Sequence, residues 1–118
     1  MMITLQHTHR QILEDSKNWV IYLMDFVDDF RYHRNPEAVK DSFPLADERM
    51  DAMLAATASQ LCSELGIQIP DWLWDVPHCK EPWFASGMES LRALALVQSP
   101  AHFRLRKIFV LENFLSRA

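Results

Sequence analysis

Apolar side chains recur at a helical spacing in three stretches of the chain. Residues 11–32, 47–65 and 86–98 each place apolar residues three or four positions apart, which is the period of a helix face. In the first two stretches charged residues fill the positions between them. One apolar stripe against a polar remainder is typical of helices that pack against a shared core. We therefore predict three principal helices.

Local signals place the ends of the second and third helices. Gly66 follows the second apolar stripe and suits the left-handed residue that ends many helices. Ser86 precedes Glu89 by three residues, a spacing typical of a capping box at a helix start. Pro100 disfavours helical geometry at the residue before it, so the third helix is expected to end near Gln98.

The remaining segments predict shorter elements. We expect a short helix over 100–106, an extended segment at 108–110, and a last helical turn over 111–117. Residues 67–82 hold three of the six prolines and two of the four tryptophans, and we expect this linker to pack across the helices, with one helical turn at 71–74. The predicted fold is mainly α, a compact bundle of about three principal helices with short C-terminal helices and one short strand.

Composition narrows the class of protein. With 118 residues and 49% hydrophobic composition, we expect a single domain over 1–118, with 1–10 as a flexible tail. The net charge of −4 does not favour broad contact with nucleic acid or anionic lipid. The longest apolar run, 19–24, is too short to cross a bilayer, so we expect a cytoplasmic protein. Two glycines in all exclude the glycine-rich phosphate-binding motifs.

The histidines and cysteines suggest reactive chemistry only weakly. His7 and His9 alternate near the N-terminus, and His78 adjoins Cys79, which Cys62 could approach in the fold. Neither arrangement has the spacing of a known metal motif, and adjacent residues seldom form a catalytic pair. We expect two reduced thiols and predict no metal, no cofactor and no catalytic site.

Basic residues concentrate near the C-terminus, with phenylalanines between them. This patch suits two partners, a nucleic acid or an acidic protein, and the acidic total of the chain makes nucleic acid the less favoured one. Its members are Arg92, His102, Arg104, Arg106, Lys107 and Arg117.

Four segments, in order, resemble a small bacterial protein family. They are YLMDFVDDF (22–30), MDAMLAATASQL (50–61), LGIQIPDW (65–72) and EPWFASGMESLRALALVQSPAHFRLRKIFVLENFLSRA (81–118). Members of that largely uncharacterised family occur alone or behind a helix-turn-helix domain, which this chain lacks. They are often encoded beside nucleotidyltransferases of the abortive-infection toxin type. The resemblance, which covers about 19–118, implies an antitoxin.

The function expected on this basis is a non-catalytic module that binds and neutralises a nucleotidyltransferase-like toxin. The alternative is a small nucleic-acid-associated regulatory protein that uses the basic C-terminal segment, and self-association is left open. Residue type suggests aromatic anchors, carboxylates that imitate phosphate, and arginines that pair with the toxin's metal-binding carboxylates. The anchors are Trp72, Trp74, Trp83 and Phe84; the carboxylates are Asp25, Asp28 and Asp29; the arginines are Arg104 and Arg106.

Overall fold

The computed structural model describes residues 2–85 and 91–116, and the fold is mainly α. A pair of two-residue strands accompanies the helices. In chain order the elements are α1 (Leu5–Glu14), a 3₁₀ turn (Ser16–Asn18), α2 (Trp19–His33), a second 3₁₀ turn (Pro36–Val39), α3 (Glu48–Leu65), α4 (Asp71–Trp74), β1 (Trp83–Phe84), α5 (Arg92–Gln98), α6 (Ala101–Arg104) and β2 (Ile108–Phe109).

Helix α3 lies at the centre of the fold. The Asp47 carboxylate accepts the Met50 N–H at its start, as expected of an acidic N-cap. Residues on all sides of α3 are buried, because α1, α2, α4 and α6 all pack against it. Small side chains on the helix, including Ala52, Ala55 and Ala56, are fully enclosed. The helix begins and ends almost where the sequence predicts.

Gly66 ends α3 in the predicted conformation. Its φ of 71° lies in the left-handed region that only glycine adopts without cost. The N–H of Ile67 then donates back to the Cys62 carbonyl at 2.8 Å, and the Ile67 side chain packs against the core. This closed turn directs the chain into the linker.

The prediction of one helix over 11–32 is wrong, because the chain breaks at Asp15. This residue leaves the helical region, with φ −145° and ψ 69°. Its carboxylate accepts hydrogen bonds from Asn18 at 2.9 Å and from the Tyr22 hydroxyl at 2.7 Å. Side chains of this kind compete with helical hydrogen bonds, and here they redirect the chain between α1 and α2.

More than half of helix α1 lies within the segment that was predicted as a flexible tail over 1–10. The Thr4 hydroxyl caps α1 by accepting the His7 N–H, and Leu5 and His9 are buried. His9 Nε2 lies 2.7 Å from Asp51 Oδ1, and its ring stacks on Phe43 with centroids 4.0 Å apart. This buried pair fastens α1 to the first turns of α3.

The Asp51 carboxylate also holds the approach to α3. Its Oδ2 accepts the backbone N–H groups of Ala46, at 2.8 Å, and Asp47, at 3.2 Å. One buried carboxylate therefore joins three segments of the chain: α1 through His9, the connector before α3, and α3 itself.

The C-terminal third folds around a parallel strand pair. Trp83 lies opposite Ile108 and Phe84 opposite Phe109, so the extended segment predicted at 108–110 is present and has a partner strand that was not predicted. Ser99 is buried and accepts the Val110 N–H at 2.8 Å instead of capping α6.

Two further predictions near the C-terminus have different outcomes. Residues 112–115 form turns where a last helix was expected. The capping box proposed for Ser86 and Glu89 lies outside the described residues. Across the described ranges, no helix is both long enough and apolar enough to span a bilayer.

We predict that Gly66→Ala lowers the free energy of unfolding by about 1–2 kcal/mol. A Cβ at this position would meet no atom within 4 Å, so the loss comes from the left-handed backbone alone. Gly66→Asn should lose less, because asparagine tolerates that conformation better. Urea titrations of the three proteins measure both effects, and equal losses for the two variants would contradict this explanation.

We predict that Asp51→Ala lowers the free energy of unfolding by about 3 kcal/mol, because it leaves the buried His9 ring and two part-buried backbone N–H groups without their acceptor. The matched control is Asp41→Ala, which removes an exposed carboxylate and should stay within about 0.5 kcal/mol of the parent chain. Chemical denaturation monitored by circular dichroism compares the two. A loss below about 1 kcal/mol for Asp51→Ala would contradict the bridging role.

Candidate partner-binding surfaces

Trp72 makes contacts within the fold. Its indole N–H donates to the Val39 carbonyl at 3.0 Å, and its ring meets the edge of Phe43 at 5.2 Å. The linker is thus held against the helices as predicted. These contacts leave Trp72 half-buried, so its role as a partner anchor stays a prediction with a structural contact already in place.

Trp83 and Phe84 form the wall of an open cleft, which we call the arginine–aromatic cleft. It encloses about 530 Å³ and is lined by Arg49, Pro82, Trp83, Phe84 and Arg92. Strand pairing positions the two rings, since the Trp83 N–H donates to the Lys107 carbonyl.

Each arginine of this cleft lies over one of the rings. The Arg49 guanidinium is 5.4 Å from the centroid of Trp83, and that of Arg92 is 4.8 Å from Phe84. Phe84 is also stacked on Phe109, with centroids 5.2 Å apart. Arg92 and Phe109 therefore already cover much of the Phe84 ring. The guanidinium N–H groups are better candidates than this ring for contact with a partner.

Arg49 is a residue that the sequence analysis missed. It occupies a polar position near the start of α3 and is exposed, so the apolar pattern gave no reason to select it. Within residues 2–85 and 91–116, no carboxylate forms an ion pair with it. Only the tertiary packing of α3 against β1 brings it to Trp83.

Helix α5, which begins at Arg92, presents an apolar surface beside the cleft. Ala95 is its only buried member among residues 92–98. Leu94 and Leu96 are exposed, and Val97 is 75% exposed. Arg92 and Leu96 are four residues apart and so share a helix face. Apolar patches of this kind next to charged groups are typical of interaction surfaces.

Trp74 belongs to a second, smaller cleft, which we call the Trp74 pocket. It has a volume of about 190 Å³ and is lined by Trp74, Val76, His78, Leu105 and Arg106. Trp74 is 52% exposed, as expected for an anchor. Sequence alone did not distinguish it from Trp72, two residues earlier, which is half-buried and hydrogen-bonded to the Val39 carbonyl.

Arg106 was predicted as a partner-facing residue, but the residue is only 4% exposed. Its Nη2 donates to the Leu73 carbonyl at 2.7 Å and its Nη1 to the His102 carbonyl at 3.4 Å. Burial lowers the pKa of the Arg106 guanidinium, which is still charged at neutral pH. Burial and this nearby cation lower the pKa of His102 as well.

The basic patch predicted near the C-terminus is divided. Arg104 is exposed, Arg106 is buried and Arg92 lies in the other cleft. The structure therefore does not place these cations on one continuous face, which a phosphate backbone would require.

The three carboxylates predicted on α2 are not equivalent. Asp29 accepts the Ile3 N–H at 2.8 Å and lies 3.3 Å from His33, so it holds the N-terminal segment. Asp25 and Asp28 are exposed, and both also interact with other groups of the chain. Their predicted contact with a partner stays a prediction.

The candidate reactive groups do not assemble. His78 Nδ1 lies 2.7 Å from the Cys79 carbonyl oxygen, and both cysteines are free and buried. In the part of the chain that the structure describes, no group of three or more His, Cys, Asp or Glu side chains is placed to hold a metal ion.

The chain finds no match among protein-family models, curated proteins or solved structures.

We predict that the Cys62 thiol resists alkylation in the folded protein at pH 8. Burial raises the pKa of this thiol to about 11 from its usual 9.0, and the thiolate is the reactive form. Iodoacetamide labelling read by mass spectrometry should modify Cys62 only when urea unfolds the chain. Equal labelling rates with and without urea would contradict the enclosed position.

The same shift predicts a pH dependence of stability. Because the pKa of Cys62 is higher in the folded state, ionisation favours the unfolded state, and the free energy of unfolding should fall as pH rises between about 9 and 11. A Cys62→Ala variant should lose this part of the slope.

Proposed function

We propose that this protein is a protein-binding module whose contact surface combines the arginine–aromatic cleft with the exposed face of α5. The observation that carries the proposal is the exposure of Leu94, Leu96 and Val97 directly after the arginine that stacks on Phe84. A short apolar helix with one buried residue gains little stability from its own fold, and covering it with a partner would remove apolar area from water.

The composition of this surface supports a protein partner over a nucleic acid. Tryptophan and arginine are residue types enriched at the energetic centres of protein interfaces, and exposed apolar residues beside them add area that a protein partner can cover. Two guanidinium groups stacked on aromatic rings keep their N–H groups in fixed directions, which suits bidentate contact with carboxylates. The net charge of −4 opposes extended contact with a phosphate backbone.

The partner we propose is a nucleotidyltransferase-like toxin, which the protein binds and neutralises without catalysis of its own. The sequence resemblance supports this choice of partner, because members of the resembled family are often encoded beside such enzymes. In this arrangement Arg49 and Arg92 pair with acidic residues of the toxin while α5 covers apolar surface at its cleft. Blocking access to that cleft would inhibit the enzyme.

Co-expression with the product of the gene adjacent to this protein's own gene tests the proposal. We expect the pair to co-elute in size-exclusion chromatography and the growth defect caused by the enzyme to be relieved. Val97→Asp, which buries a charge in the proposed interface, should weaken binding at least tenfold, or about 1.4 kcal/mol.

Leu13→Asp is the matched control, because it adds the same charge to an exposed leucine on α1 and should leave binding unchanged. Isothermal titration calorimetry gives the affinities, and circular dichroism verifies that both variants fold. Failure of the pair to co-elute, with toxicity unrelieved, would overturn the antitoxin role. Affinity for RNA or DNA that falls steeply with salt would favour the regulatory alternative.

A further inference from the structure

Arg106 is a buried cation whose N–H groups are only partly used. The guanidinium carries five N–H donors, and its two hydrogen-bond acceptors in the described residues are the carbonyls of Leu73 and His102. Its Nε is enclosed, and none of the described residues places an acceptor within hydrogen-bond distance of it. These bonds join the C-terminal end of α4 to α6. They give the two Nη atoms a structural role, whereas the Nε–H has none within the described residues.

The charge of Arg106 also lacks a counter-ion among residues 2–85 and 91–116. A buried charge is costly unless it is paired and hydrogen-bonded. The nearest aromatic compensation is the ring of Trp74, 5.8 Å from the guanidinium carbon. A second buried polar atom without a partner, Nδ1 of His102, belongs to a ring 5.9 Å from that of Trp74.

The Trp74 pocket leads to this cation. Its volume of about 190 Å³ exceeds the roughly 30 Å³ that one water occupies in the liquid, so a side-chain-sized group fits. Trp74, Val76 and Leu105 supply apolar walls, and Leu105 at the mouth is 63% exposed. A ligand suited to this site has a carboxylate at its tip and methylene groups behind it.

We propose that the Trp74 pocket receives a glutamate side chain of a protein partner, with Arg106 as the group that binds its carboxylate. Arg106 lines the pocket, and its charged guanidinium donates to the carboxylate through the N–H groups that face the pocket. The methylene groups of the glutamate pack against Trp74 and Leu105. That the carboxylate belongs to a protein partner rests on the proposed function. That the pocket binds a carboxylate does not depend on the proposed function.

The test uses the full chain and a small probe that mimics one glutamate residue, N-acetyl-glutamate N-methylamide. Its neutral counterpart, N-acetyl-glutamine N-methylamide, controls for shape. Titration followed by ¹H–¹⁵N NMR should shift the Arg106 Nε–H and the Trp74 indole N–H resonances, with a millimolar dissociation constant for the glutamate probe. The glutamine probe should shift them at least tenfold less at the same concentration.

Variants separate the pocket from general electrostatics. Leu105→Glu places a carboxylate at the mouth and should weaken the glutamate probe about tenfold, whereas the neutral Leu105→Gln should bind nearly as the parent chain does. Arg10→Gln removes an exposed cation on α1, outside the pocket, and should change nothing. Because Leu105 is exposed, these results do not depend on an Arg106 variant that could unfold the chain.

The results of these experiments test the carboxylate site, the identity of the partner and the proposed function separately. Equal shifts with both probes, or none, would overturn the carboxylate site and leave Arg106 as a clamp between α4 and α6. Concentration-dependent dimers that the Leu105→Glu variant abolishes would assign the carboxylate to a second copy and overturn a heterologous partner. Probe binding without toxin binding would overturn the proposed function and keep the pocket chemistry.

Discussion

The close burial of α3 is the constraint on which the other elements depend. Alanines at its helix contacts allow α1, α2 and α6 to approach it at short distance, and well-packed interiors tolerate little change of volume. The positions of the functional side chains follow from this arrangement. Arg49 emerges where the start of α3 passes β1, and Arg106 is enclosed where α6 and α4 meet beside the same helix.

The parts of the fold that sequence predicted are those with local causes. Helix α3 has a regular apolar stripe, an acidic N-cap at Asp47 and a left-handed Gly66, and all three act within a few residues of the helix ends. The break at Asp15 has no glycine or proline beside it that would predict it. It depends on hydrogen bonds from Asn18 and Tyr22 to the Asp15 carboxylate. The packing of α1 likewise depends on a pair 42 residues apart, His9 and Asp51.

The candidate surfaces were only partly predictable, for a related reason. Trp74, Trp83 and Phe84, which residue type selected as partner anchors, line open clefts, and their contact with a partner stays a prediction. Residue type cannot separate Trp72 from Trp74, because the two differ in their tertiary contacts. Trp72 is half-buried, whereas Trp74 is exposed. Residue type also expects a charged Arg106 to be outside, whereas tertiary contacts with Leu73 and His102 enclose it. Arg49 has no sequence signal beyond being polar.

The parallel pairing of β1 and β2 has a consequence for how α5 meets another molecule. Parallel strands need a crossover connection, and α5 and α6 lie within that crossover. Both of its ends are held by backbone hydrogen bonds, while α6 rests on α3. The apolar residues of α5 thus lie on a segment that is held at both ends. The conformational entropy of this segment is already lost when the chain folds. A binding partner would then spend less of its contact energy on ordering this helix than it would for a free peptide of the same sequence.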